Sequence, residues 1–81
     1  MSYITVDNYI WQVARYIADR KGVDAGIRAT DPLAWYVNTG RASAGFLKRL
    51  VETKPYVIAR LLMKGGSYDE AIARVRTKLD I

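Results

Sequence analysis

The chain has 81 residues, of which 51% are hydrophobic and 26% are charged, and its formal net charge at pH 7 is +5. This length suits one domain, residues 1–81, and the apolar content suffices for a packed core. Cysteine and histidine are both absent, which excludes disulfides and nearly all zinc sites and removes the side chains used in most nucleophilic and acid–base catalysis. We therefore expect a protein that is not an enzyme and that carries no cofactor or metal.

The hydrophobic segments are too short for a membrane protein. None of them approaches the ~20 apolar residues that span a bilayer. The N-terminal sequence MSYITVDNY has neither an early positive charge nor the apolar stretch of a secretory signal. We expect a cytoplasmic protein with no membrane partner.

The first helix is predicted at about 7–21. Four apolar residues recur at spacings of four and three positions, which places them on one helical face: Val6, Ile10, Val13 and Ile17. Thr5 or Asp7 can cap the start of this helix, and Gly22 is typical of a helix end. Residues 1–6 are too few for a sheet, so we expect them to form an extended arm.

A loop and a short helix are predicted next. Residues 22–30 contain two glycines, which indicate a loop. Asp31 is a good capping residue, and Pro32 after it suits the first position of a helix. The predicted helix covers about 32–38 and ends before Gly40.

Residues 41–66 hold the densest apolar pattern in the chain. Two quartets of apolar residues share the same helical spacing: Phe46, Leu47, Leu50, Val51, Val57, Ile58, Leu61 and Leu62. Pro55 would cost about 3 kcal/mol inside a helix, and it disfavours helical geometry at the residue before it. We therefore predict two helices, at about 43–52 and 55–64, with a single kinked helix as the alternative. Gly65-Gly66 ends the segment in either case.

The last helix is predicted at about 68–79. Ser67 and Glu70 before and within its first turn match the S-x-x-E capping box. Asp69 and Glu70 are adjacent carboxylates, but they suit the positive end of the helix dipole, so we interpret them as structural. The elements together indicate an all-α fold, a compact bundle of four to five short helices. Its core is expected to comprise Ile10, Val13, Ile17, Phe46, Leu50, Val57, Leu61, Ile72, Val75 and Leu79.

The positive charge is confined to one segment. Residues 41–64 contain six basic residues and one acidic residue, a surplus of five, whereas residues 1–40 and 65–81 are each neutral. Five of the basic side chains are suited to neutralise the phosphates of a nucleic-acid backbone: Arg41, Lys48, Arg49, Arg60 and Lys64. We predict a nucleic-acid-binding regulator or accessory factor, for DNA or RNA, that uses this basic strip at 41–64. A helical face that is basic for solubility alone is the alternative.

A protein-interaction or inhibitory module is a second predicted function. The chain has six tyrosines and two tryptophans, and these residue types, together with arginine, often anchor interfaces. Trp35 and Tyr36 are adjacent on a short predicted helix, so both cannot point into the core. Four residues are predicted to form the interface: Trp35, Tyr36, Tyr56 and Met63. The partner would be an acidic protein surface, as for a phage- or plasmid-type regulator, or a second copy of the chain in a homodimer.

Overall fold

The computed structural model describes residues 5–81 and contains five α-helices, with no strand in that range. The helices are α1 (Val6–Lys21), α2 (Val23–Asn38), α3 (Ala44–Glu52), α4 (Pro55–Leu62) and α5 (Tyr68–Leu79). All five contribute side chains to one cluster of buried residues. The predicted all-α bundle is confirmed, although α2, with 16 residues, is longer than the short helix predicted at 32–38.

The first helix agrees with its prediction to within one residue. The Thr5 hydroxyl accepts a hydrogen bond from the Asn8 N–H at 3.1 Å, so Thr5 is the cap. Gly22 ends the helix with a φ of 96°, a conformation that glycine adopts without a steric penalty. Of the predicted N-terminal arm, residues 1–4 lie outside the described residues, and Val6 already belongs to α1.

The prediction of a loop at 22–30 and of a helix that starts at Pro32 is wrong. α2 begins directly after Gly22, and Pro32 is its tenth residue. Because proline has no N–H, the Arg28 carbonyl lacks its usual partner within the helix. Gly26, Asp31 and Pro32 are therefore helical, and only Gly22 separates the two helices. The reason lies in how α2 packs.

Close packing of α2 against α1 explains why the helix continues through the proline. Pro32 and Leu33 are buried, and Gly26 lies directly on α1. A Cβ atom on Gly26 would be 2.6 Å from the Ala14 carbonyl oxygen and 3.2 Å from the Ala18 Cβ. This approach lets the two helices bury surface along their length, which offsets the ~3 kcal/mol cost of an interior proline.

After the α1–α2 hairpin (residues 5–40), the helices agree with the predictions to within two residues at each end. α3 and α4 are two helices, not one kinked helix, and Pro55 occupies the first position of α4. Lys54 has the extended backbone, with a ψ of 134°, that a following proline favours.

The capping box at the start of α5 is confirmed. Ser67 Oγ accepts from the Glu70 N–H at 3.1 Å, and the Ser67 N–H donates to Glu70 Oε1 at 2.8 Å. Hydrogen bonds from the Ser67 backbone, and next from its side chain, hold the pKa of the Glu70 carboxyl below its ordinary value. The chain therefore enters α5 in a fixed geometry.

The core contains most of the predicted residues, but α4 presents a different face to it. Ile58 and Leu62 are buried, whereas Val57 and Leu61, predicted to be core, are only partly buried. Spacing alone places all four in one apolar quartet, and the packing of α4 against α1 and α5 decides which pair is buried. Ile10 of α1, also predicted to be core, is likewise only partly buried. Tyr9 is also fully buried, without a hydrogen-bond partner for its hydroxyl among the described residues, and this burial raises the pKa of Tyr9.

Candidate nucleic-acid interface

The five basic residues predicted to contact nucleic acid are all exposed. Arg41, Arg49 and Lys64 lie beside α5. This helix belongs to residues 65–81, a segment with no net charge. Lys48 lies on α3, and Arg60 lies on α4. The structure therefore gathers three of the predicted residues around a helix that was not part of the predicted site.

A groove between α4 and α5 holds the first group of cations. Its lining residues are Leu61, Lys64, Ala73, Arg74, Thr77 and Lys78. Lys64 follows α4, and Lys78 belongs to the last turn of α5, so two lysines distant in sequence flank the same groove. The small side chains of Ala73 and Thr77 lie between the charged ones.

A second groove on the other side of α5 holds two more cations. Arg41 and Arg76 line it together with Trp35, Asp69 and Ala73. The Arg41 guanidinium lies 4.6 Å from the centroid of the Trp35 ring, a cation–π contact that orients the charge. Because Ala73 lines both grooves, the exposed side of α5 connects them.

Two of the arginines, Arg74 of the first groove and Arg49 of α3, donate hydrogen bonds to backbone carbonyls. Arg74 Nε donates to the Leu61 carbonyl at 3.2 Å, and its Nη2 donates to the Gly65 carbonyl. Arg49 Nη1 donates to the Leu79 carbonyl at 3.1 Å, at the end of α5. A carbonyl carries no net charge, so these hydrogen bonds position the two guanidiniums without pairing them with an acid.

These observations define the α5 basic face. Its six members come from the segment before α3, from α3, from the segment after α4 and from α5: Arg41, Arg49, Lys64, Arg74, Arg76 and Lys78. The acids of α5 lie at its ends: Asp69 and Glu70 are in the first turn, and Asp80 follows the last. The positive side chains therefore occupy the middle and the C-terminal half of the helix.

Sequence reasoning missed Arg74, Arg76 and Lys78 because residues 65–81 contain as many acids as bases. The sequence feature that could have identified them is their occurrence at every second position of α5. On a helix with ~100° per residue, Arg76 points to the side opposite Arg74 and Lys78. This spacing is the reason why α5 contributes cations to both of the grooves beside it.

The four residues predicted to form a protein interface lie in two separate places. Trp35 packs on Tyr68 of α5, with ring centroids 5.6 Å apart, and Tyr36 packs on the buried Phe46 at 5.0 Å. Both are partly buried, so adjacency did not force either of them fully outward.

Tyr56 and Met63 pack toward the α1–α2 hairpin. The Tyr56 ring lies 6.4 Å from the ring of Tyr16, and the Arg60 guanidinium lies 5.3 Å from the Tyr56 ring. Met63 lines a groove with Ile17 of α1 and residues of α2. The contacts of these two residues thus differ from those of Trp35 and Tyr36.

Within residues 5–81, no group of three or more carboxylates is placed to hold a metal ion. None of the five helices there has the length and hydrophobicity to cross a membrane. The chain has no significant match among protein families, curated proteins or solved structures. The chemical character of the α5 basic face, which suits anions, is therefore the basis for a functional proposal.

Proposed function

We propose that the chain binds nucleic acid through the α5 basic face, as a DNA-binding regulator or accessory factor. The observation that carries this proposal is that six cations from separate parts of the sequence surround one exposed helix. A phosphate backbone neutralised by such side chains releases condensed counterions, which favours binding. Three of the six cations belong to the strip predicted from sequence, and the other three come from α5.

The shape of the face supports contact with a phosphate backbone. Ala73 and Thr77 occupy the centre of the exposed side of α5, and neither side chain is large enough to hold a backbone at a distance. Lys64 and Lys78 lie on one side of this centre, and Arg76 lies on the other. The Thr77 hydroxyl can donate to a phosphate oxygen, as hydroxyls commonly do at such interfaces.

The proposed binding has little sequence specificity. Adenine is read mainly by Asn and Gln, and α5 contains neither. Contacts to phosphates fix position and orientation but do not distinguish bases. We therefore assign the α5 basic face to backbone contact.

The test is fluorescence anisotropy with labelled duplex DNA, single-stranded DNA and RNA over a series of salt concentrations. The paired variant Arg76→Ala/Lys78→Ala should weaken binding to all duplex sequences about equally. It should also reduce the slope of log affinity against log salt by about 2, since each phosphate contact on duplex DNA contributes ~0.9.

A matched control variant distinguishes the effect of the α5 basic face from the effect of the total net charge. Lys21→Ala/Arg28→Ala also removes one lysine and one arginine, both exposed, but from the α1–α2 hairpin. Each pair lowers the formal charge from +5 to +3, so only position differs between them. The control should keep the wild-type slope. Equal losses in both variants, or no binding of the wild type to any of the three probes at low salt, would contradict the proposal.

An acidic protein partner is the second candidate, and one observation favours it. Trp35, Tyr68 and Arg41 form an aromatic and basic cluster at the edge of the α5 basic face, with Tyr68 exposed. Such clusters anchor protein interfaces. A polyglutamate peptide serves as the probe: Tyr68→Ala should weaken its binding if the cluster captures acidic proteins, and should leave the salt slope for DNA unchanged.

A further inference from the structure

The outer surface of the α1–α2 hairpin carries a groove that is largely apolar. The hairpin groove is lined by Trp11, Ala14, Ala18, Val23 and Ile27, together with two charged residues. Trp11 is 58% exposed, Val23 67% and Ile27 56%. These are half of the large hydrophobic residues that are exposed in the described part of the chain. Such concentrated exposure is typical of a surface that a partner covers.

The two charged residues of the groove have opposite signs. Arg15 and Asp19 lie one helical turn apart on α1, both in the groove lining and both exposed. The Arg15 guanidinium lies 5.5 Å from the Trp11 ring centroid. A uniformly acidic partner would be repelled by Asp19 and a uniformly basic one by Arg15, so the groove suits a surface that also carries both charges.

We infer that a second copy of this chain covers the hairpin groove in a two-fold symmetric homodimer. Two-fold symmetry places residue i of one copy against residue j of the other, and j against i. With the two α1 helices antiparallel, Arg15 of one protomer faces Asp19 of the partner subunit, and the same pair forms again across the axis. The apolar side chains of both copies are then buried beside these two ion pairs.

The charge distribution of the whole chain supports this occupant. Residues 1–40 contain four basic and four acidic residues, so two hairpins meet without net repulsion. The surplus of five belongs to residues 41–81, and no member of the α5 basic face lines the groove. Dimerisation through the hairpin therefore leaves the basic face of each protomer free. The inferred dimer does not depend on whether that face binds nucleic acid.

Sedimentation equilibrium over a range of concentrations tests the inference. The wild type should be a dimer that dissociates on dilution, and Trp11→Ala should weaken it at least about tenfold, as expected for a large aromatic residue that anchors an interface. Ile81→Ala, a change at an exposed apolar residue outside the groove, should leave the dissociation constant unchanged. Thermal melts of each variant show whether folding is retained.

Charge reversal identifies the pairing itself. Arg15→Asp and Asp19→Arg should each be monomeric alone, because like charges then face each other twice across the axis. An equimolar mixture of the two variants should form heterodimers, since every charge again meets its opposite. A wild type that stays monomeric to ~1 mM, or a dimer that survives both single reversals, would overturn the inference.

Discussion

The α1–α2 hairpin and residues 41–81 share one core but present different surfaces. The hairpin belongs to a segment with no net charge, and its outer side is apolar at Trp11, Val23 and Ile27. Residues 41–81 contain nine basic and four acidic residues, and their outer side is the α5 basic face. One small bundle can thus keep an exposed apolar surface and a positively charged surface apart.

The two regions are also stabilised differently. The hairpin relies on close backbone contact at Gly26 along two long helices. The later helices have 8 to 12 residues, lengths at which an isolated helix is marginal. They depend on defined ends: Ser43 and Ser67 cap α3 and α5, and Arg49 and Arg74 bind carbonyls between elements. Short helices need hydrogen-bond partners for the backbone groups at their ends, whereas two long helices packed against each other tolerate an interior proline.

The largest expected effect tests whether the two regions unfold as one. Leu33 in the hairpin and Leu50 in α3 are both 0% exposed, so Leu33→Ala and Leu50→Ala should each cost ~2–5 kcal/mol of unfolding free energy. Urea unfolding, followed by far-UV circular dichroism and tryptophan fluorescence, should give coincident single transitions. Leu61→Ala, at a partly buried position, should cost less than either. Separate transitions for the two probes would show that the regions are independent.

The close approach in the hairpin predicts that Gly26→Ala destabilises the protein. The added methyl would meet the Ala14 carbonyl oxygen at 2.6 Å, and the overpacking should cost about 1–3 kcal/mol. This outcome is opposite to the usual gain when alanine replaces a helical glycine. A melting temperature equal to or above that of the wild type would show that α1 and α2 separate easily.

Because the later helices depend on capping hydrogen bonds at their ends, Ser67→Ala should lower the unfolding free energy by about 1 kcal/mol. The hydroxyl that accepts from the Glu70 N–H is removed, while the buried face of α5 is unchanged. Chemical denaturation measures the change. A matched exposed serine-to-alanine change at Ser43 should have a similar effect on α3, because Ser43 caps that helix in the same way.

The same cap predicts a pH dependence. The pKa of Glu70 is lower in the folded state than its ordinary value, so its contribution to stability is present above the unfolded pKa and is lost as the pH falls through the folded pKa. Glu70→Gln should therefore destabilise the protein at neutral pH. Relative to the wild type, this difference should shrink in acid, below the ordinary Glu pKa of about 4.3. A constant difference across pH would show that the carboxylate charge is irrelevant.

The smallest expected effect is an increase in stability for Gly45→Ala in α3. A Cβ at Gly45 would meet only Ser43 Oγ, at 3.9 Å, so alanine fits without strain. The substitution should stabilise the fold by about 0.4–1 kcal/mol because it restricts the unfolded chain. Gly45→Ala and Gly26→Ala are the same chemical change, and they should alter the unfolding free energy in opposite directions. Their comparison therefore isolates the effect of steric crowding at Gly26.

Local interactions determined what the sequence could predict. The Thr5 cap, the capping box of Ser67 and Glu70, and the break before Pro55 each depend on residues within four positions of one another. Their geometry is therefore independent of the rest of the fold. The bounds of α1 and α5 and the all-α class follow from the same short-range patterns. Three members of the α5 basic face, Arg41, Arg49 and Lys64, were also identifiable, because excess charge is visible in composition.

Only the tertiary structure decided the remaining features. α2 continues through Pro32 because burial against α1 outweighs a local preference for a break, and the relevant contact joins Gly26 to Ala14 and Ala18. The buried face of α4, with Ile58 and Leu62 inside, depends on how α4 packs against α1 and α5. The positions of Arg74, Arg76 and Lys78 beside Lys64 and Arg41 arise from the packing of α5 against the bundle. Each of these outcomes is set by contacts between residues distant in sequence, which hydrophobic spacing and capping signals do not encode.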